Sequence, residues 1–332
     1  MSSEKIAVIG SNSFSGATFV RYLLDNGQHV LGFSRSLEPE DVFLPYKWSD
    51  RYKDKYTFYK ADLNHDLEKL VDIIHSEKPD YIVNFAALGM VAQSWEKPED
   101  WYQTNVVAQV KFHDQLRKMV FLEKYIHVTT PEVYGSTDGW KKEDYSFSPS
   151  TPYAVSRAAC DLHLISFFHA YNFPVIFTRA ANVYGPGQQL YRIIPRTILY
   201  ARLGKKLKLH GGGFSDRSFI HMDDVANATY QIILNGKIGE TYHISTEKTI
   251  TIRELVGKIC DFLGVEFSDI IENSDERLGK DQTYKLDSSK IRNELGWKDT
   301  ISLQEGILST IEWIDSNLIT LKGLPHNYIH KA

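Results

Sequence analysis

Only two cysteines, four methionines and eleven prolines occur in 332 residues, and each shortage excludes something. Cys160 and Cys260 stand far apart, both in stretches of helical period. A disulfide framework or a cysteine metal site is therefore not expected, and both are read as buried free thiols of a reducing compartment. No apolar run approaches the about 18 residues of a membrane-crossing helix. The opening MSSEKIAVIG enters a strand with no charged-then-apolar leader, so a cytoplasmic protein is expected. Basic excess is missing too: 38 Lys and Arg face 42 Asp and Glu, a formal net charge of −4. That leaves no electrostatic footprint for nucleic acid or an anionic membrane.

What is present is an ordinary globular composition, 42% hydrophobic and 13% aromatic, arranged in a strict alternation. Short apolar runs at 6–9, 29–34, 56–59, 81–85, 125–128 and 175–178 read as strands. Helical periods at 14–24, 67–76, 101–119 and 153–170 separate several of them. Strands alternating with helices over about 180 residues predict an α/β fold, a Rossmann-type doubly wound parallel sheet. After Asn182 the texture changes, with Gly185-Pro-Gly-Gln and Gly211-Gly-Gly as loop signals around a helix at 194–203 and a strand at 207–209. Residues 217–220 and a helix at 224–234 read as a return to the sheet, and 252–263 and 303–314 as amphipathic helices. The expected division is a dinucleotide-binding domain, 1–181 plus about 217–245, interleaved with a smaller substrate domain, 182–216 and 246–332. A cleft lies between such parts.

Gly10-Ser-Asn-Ser-Phe-Ser-Gly16 falls between the first strand and the first helix, where a dinucleotide fingerprint belongs. Gly10 and Gly16 allow close backbone approach to a pyrophosphate on the helix N-terminus, where Phe14 opens the helix. Ser13 takes the middle position of a G-x-x-G-x-x-G pattern. At the end of the second strand comes Ser34-Arg35-Ser36, with no acid before Glu38. An arginine there accommodates a 2′-phosphate, so NADP is expected, with NAD as the alternative. Asp62 and Leu63, past the third strand, are placed for the adenine edge, and Asn84 to Leu88, with Ala86, for the nicotinamide ribose. Further on, Tyr153 and Arg157 stand four apart on one helix face. A fixed cation favours the phenolate, so this pair can act as a base, although such a pair is also ordinary on a surface.

With these pieces in order, the chain resembles the extended short-chain dehydrogenase/reductases, in particular the nucleotide-sugar 4,6-dehydratase group. Further residues carrying the resemblance are Thr130-Pro-Glu-Val-Tyr-Gly135, Tyr153-Ala-Val-Ser-Arg157, Arg179-Ala-Ala-Asn-Val-Tyr-Gly-Pro186 and Arg217-Ser-Phe-Ile-His-Met-Asp-Asp-Val225, with Arg277-Leu-Gly-Lys-Asp281 beyond. The resemblance implies a nucleoside diphosphate sugar as substrate, with Asn182, Arg217 and Arg277 on the diphosphate and Leu209 beside the base. It implies Tyr153 as base for the 4-hydroxyl, Thr130 on the same oxygen, and Glu132 as the base for the C5 proton, with water leaving C6. It also implies a homodimer through the helices at 101–119 and 153–170, where Leu162, Ile165 and Phe168 are apolar.

Two positions depart from the pattern. The dTDP-glucose type carries an aspartate where this chain has Pro131; the GDP-mannose type lacks it, leaving the proton to Glu132 or Tyr153. A lysine is usual where Arg157 stands, and a planar guanidinium is no simple substitute for a compact ammonium. A 4-epimerase or C4 oxidoreductase of the same fold, and a non-catalytic dinucleotide-binding sensor, are the alternatives.

Overall fold

The computed structural model describes residues 4–52, 54–274 and 285–331. Seven strands make one parallel sheet: β1 Lys5–Ile9, β2 His29–Ser34, β3 Tyr56–Lys60, β4 Tyr81–Asn84, β5 Lys124–Thr129, β6 Val175–Ala180 and β7 Thr241–Ile244. Their spatial order is β3-β2-β1-β4-β5-β6-β7, so the order reverses between β1 and β4. The register pairs Val8 with Gly32 on one side and with Val83 on the other. Such a reversal leaves a crevice at the carboxyl ends of the strands, the usual ligand site of an open parallel sheet.

Alternate residues of β1 show why the sheet is covered twice. Ile6 and Val8 join a core with Phe19, Leu23, Val225 and Ile232, from the helices α1 (Phe14–Asp25) and α7 (Met222–Asn235). Ala7 and Ile9 face the other way, onto Leu70 and Ile74 of α2 (Leu67–Glu77), Phe112 of α4 (Ala108–Leu116) and Leu164 of α5 (Pro152–Tyr171). A strand buried on both faces must be apolar throughout, hence the unbroken run IAVI. Both cysteines are free and buried, Cys160 in this second core.

The predicted helix at 101–119 is instead composite: α3 (Pro98–Tyr102), a π-helical turn at Gln103–Val107, then α4. The widened turn brings Asn105 inside. Its side chain accepts from the Leu88 N–H at 2.8 Å and donates to the Leu88 carbonyl and to Ser156 Oγ. Helical periodicity alone carries no sign of this insertion.

The segment at 217–220 departs from expectation as well. Arg217 pairs with Ile250 and Phe219–His221 with Asn182–Tyr184, in two small sheets outside the main one; only α7 and β7 rejoin it. A separate core gathers Ile194 and Ile198 of α6 (Ile193–Arg202), Leu255 and Ile259 of α8 (Ile252–Leu263), and Ile307 and Ile311 of Leu303–Ser316. Asp224 on α7 joins this lobe to the sheet, its carboxylate accepting from Thr300 and Ile301.

Candidate active site

The turn after β1 is built for an anion. Gly10 has φ +84°, and a Cβ there would lie 2.9 Å from the Ala86 nitrogen. A Cβ on Gly16 would meet the Gly10 carbonyl at 2.2 Å, so helix and strand close only over glycine. Ser13 is the N-cap of α1: its hydroxyl donates to the Gly10 carbonyl at 2.7 Å and accepts from the Gly16 N–H at 3.0 Å. Serine at the middle position is thus a helix cap, and the first turn of α1 presents its amide dipoles to the crevice. This cradle fits a pyrophosphate.

A cleft of about 720 Å³ opens beside that turn. It gathers Ser13, Phe14, Arg35, Thr130, Glu132, Tyr153, Arg157, Asn182, Leu209 and Arg217, ten predicted residues drawn from across the chain. Gly10, Gly16 and Ala86 do not line it themselves; the Gly10 turn abuts Ala86 beside it. Asp62 and Leu63 do not line it; the Asp62 carboxylate accepts from the Asn64 N–H at 2.8 Å and turns its own loop. Arg277 lies outside the described residues.

Thr130 and Tyr153 are both placed by helix starts. Thr130 caps the short turn Pro131–Tyr134, with Pro131 at the first helical position and Glu132 directly after it. Thr151 caps α5, with Pro152 first and Tyr153 second, and Ser94 Oγ accepts from the Tyr153 N–H at 3.2 Å. The Thr130 hydroxyl is close enough to the phenol to act on its ionisation, and Arg157 lies one turn along the helix.

The expected drop of the phenol pKa is not the net result. Burial raises it, the Glu132 carboxylate raises it further, and Arg157, Thr130 and Arg192 only oppose this. One reason is visible in Arg157, which is 2% exposed. Its Nη2 donates to the Val128 carbonyl and lies 3.4 Å from His127 Nε2. The longer guanidinium reaches into the sheet, while its Nη1 is buried with no partner among the described residues.

Beneath it Asp161 accepts from Arg179 at 2.7 Å and from the Thr129 hydroxyl at 3.1 Å. Burial acts to raise the Asp161 pKa, but Arg179 and His127 outweigh it and hold the carboxylate ionised. Burial pushes His127 down to about 4, so it is neutral. His113, His127 and Cys160 bring donor atoms within 4.8 Å of one another. Asn84 donates to the Tyr125 phenol at 2.7 Å, which directs that phenol's own hydrogen to His113 Nε2 at 2.9 Å. In that arrangement His113 Nε2 is the acceptor of the phenol, while His113 Nδ1 and His127 Nδ1 are buried with no partner among the described residues.

Sequence reasoning missed Arg192 and Tyr328, which also line the cleft. The sequence carried no sign of Tyr328, which comes from a segment with no periodic pattern.

A doubly wound parallel sheet with a glycine turn at its reversal point, and a Thr, Tyr and Arg set at the strand ends, defines an extended short-chain dehydrogenase/reductase. Residues 8–310 match the family model of GDP-mannose 4,6 dehydratase, and the chain belongs to that family of dehydratases. It is 30% identical to the dTDP-glucose 4,6-dehydratase of Haemophilus influenzae over 93% of this chain and 97% of that protein. The enzyme of the same name from Escherichia coli is 31% identical over 94% of each. The dTDP-glucose 4,6-dehydratase of Streptomyces venezuelae, solved with NAD bound, superposes with a TM-score of 0.87 at 30% identity, covering 94% of this chain and 97% of that one. A UDP-glucose 4-epimerase from Thermotoga maritima, at 24% identity and TM-score 0.85 over 95% of this chain and 99% of that one, shares the fold.

The electrostatics of the phenol can be measured directly. Glu132→Gln removes a charge that raises the Tyr153 pKa, so the phenolate forms at lower pH; Arg157→Met removes one that lowers it, so the phenolate forms at higher pH. Carbon NMR of ring-labelled tyrosine across an alkaline titration reads both. Shifts of the opposite sign refute the account.

Proposed function

We propose that the cleft carries out 4,6-dehydration of a nucleoside diphosphate hexose with Thr130, Glu132, Tyr153 and Arg157 as the reacting set. The observation that carries this assignment is the half-buried Glu132 carboxylate, on the same wall as Tyr153 and close enough to perturb it. An epimerase or a simple C4 oxidoreductase has no use for a second base there. A nicotinamide dinucleotide held on the Gly10 to Gly16 turn would supply the hydride acceptor at C4 and the hydride donor at C6. Tyr153 takes the proton of the 4-hydroxyl while Thr130 holds the same oxygen. The ketone so formed acidifies the C5 hydrogen, which Glu132 removes as general base. The C6–O bond breaks, and with proline at position 131 the leaving hydroxyl takes its proton from Glu132 and departs as water. The proton held by Tyr153 returns to C5 as C6 is reduced. The product is the 4-keto-6-deoxy sugar.

Residues 1–181 with about 217–245 serve as the dinucleotide part in this reading, and 182–216 with 246–332 as the substrate part. Asn182 and Arg217 take the diphosphate, Arg277 adds a further clamp, and Leu209 sits beside the base. Arg217 is 8% exposed and lines the cleft, which suits a guanidinium fork on phosphate oxygens. The unpartnered Nη1 of Arg157 is the donor left for a ribose hydroxyl. Incubation with nucleoside diphosphate hexoses is expected to give a product lighter by about 18 mass units, one water. Tyr153→Phe and Glu132→Gln are each expected to lower the rate by about 100-fold or more. Isomerisation at constant mass, or full activity in Glu132→Gln, excludes the reading.

For the dinucleotide we propose NADP. Arg35 lines the cleft at the end of β2, whereas the nearest acid, Glu38, is engaged with the Tyr46 hydroxyl at 2.8 Å and Lys47 at 2.9 Å. The solved relatives hold NAD, which makes this the discriminating measurement. Arg35→Ala is expected to weaken NADP binding by about tenfold or more and NAD binding by less than about threefold. Tighter binding of NAD by the unaltered protein overturns the preference.

A homodimer is also proposed. Ile165 and Phe168 pack against the core, but Leu162 is 52% exposed and Val107 41% exposed on the two adjoining helices. Light scattering is expected to give twice the chain mass, and Leu162→Glu to reduce it. A monomer at micromolar concentration refutes it.

A further inference from the structure

The run His326-Asn-Tyr-Ile-His330 lies beyond the last helix and outside every motif above. Its burial alternates: His326, Tyr328 and His330 are half-buried, while Pro325, Asn327 and Ile329 are exposed. Every second side chain therefore faces the protein, as in an extended chain laid on a surface.

Its two ends are held by different parts of the molecule. On the substrate side the Asn327 side-chain oxygen accepts from Arg196 of α6 at 2.9 Å. His326 lies 5.9 Å from Tyr200, and Tyr328 sits edge-on to Tyr191 at 5.4 Å. On the sheet side His330 stacks on Trp101 at 5.0 Å with the rings 8° apart, and its Nε2 reaches the Asp100 carboxylate at 2.7 Å. Both partners are on α3, which leads through the π-helical turn to Asn105.

Between these anchors Tyr328 enters the cleft. Burial raises its phenol pKa, against the opposing charges of Arg35 and Arg192. The phenol is thus a protonated donor in the cleft that Arg35, at the end of β2, and Arg192, which opens α6, also line.

We propose that residues 325–331 form a strap across the cleft, and that Tyr328 is a binding residue that contacts the dinucleotide and slows its release. The proposal rests on the reading of the cleft as a dinucleotide site. In a reaction that regenerates its cofactor each cycle, substrate and product must exchange but the dinucleotide need not. A strap tied at both ends acts on the component that stays.

The test is the release rate of reduced dinucleotide from the loaded full chain, followed by its fluorescence after a chase with excess oxidised dinucleotide. His330→Ala removes the stacked anchor without touching the cleft, and is expected to speed release about tenfold, the loss of about 1.4 kcal/mol of holding energy. Tyr328→Phe keeps the ring on Tyr191 and is expected to speed release less than Tyr328→Ala. His330→Gln, which retains a donor for Asp100, is expected to restore part of the loss. Thermal midpoints within about two degrees of the unaltered protein separate this from general loosening. Release within twofold of the unaltered rate in every variant overturns the strap alone. An unaltered protein that binds no dinucleotide overturns the cofactor reading and the strap together.

Discussion

One buried carboxylate underlies the face that carries Tyr153. Two guanidinium groups, Arg157 and Arg179, are buried behind it, and charge removed from water is stable only when paired and hydrogen-bonded. Asp161 pairs directly with Arg179 and acts on Arg157 through its charge. It sits on α5 one turn after Arg157, receives Arg179 from β6 and Thr129 from β5, and lies beside His127. The helix that carries Tyr153 and Arg157 is thereby keyed to the two strands beneath it. The orientation of the phenol in the cleft follows from that attachment.

This support also explains how the chain accommodates an arginine where the family pattern leads one to expect a lysine. A lysine ends near the phenol, whereas the guanidinium continues to the Val128 carbonyl and His127. The cation thus has two attachments and acts as a strut as well as a charge. Its effect on Tyr153 is outweighed by burial and by Glu132, so the phenol of the unliganded cleft is held protonated. A cationic nicotinamide would act in the opposite direction, as any added positive charge does. Pro131 has its own local logic, since it begins the turn that Thr130 caps and so fixes where Glu132 points.

The fold was legible because its signals are local. A strand buried on both faces must be apolar in every position, and a glycine turn before a helix is a short pattern with one main use. Ser13 shows the limit of such reading. As a letter it is a missing glycine, and only the coordinates reveal it as the helix cap. Asp62 shows what a motif leaves out, since its carboxylate also accepts from the Asn64 N–H and so turns its own loop.

Residue types and their spacing along the chain established the parallel sheet, the glycine turn after its first strand and the acid-bearing Thr130 to Tyr153 stretch, because each arises from contacts within a few residues or from one repeated period. The net direction of the Tyr153 pKa, the second attachment of Arg157, the π-helical turn at Asn105 and the passage of Tyr328 into the cleft were decided in three dimensions. Each depends on burial or on partners from distant segments, such as Trp101 for His330 and Val128 for Arg157. Desolvation and long-range packing leave no period in the chain, so only the folded molecule expresses them.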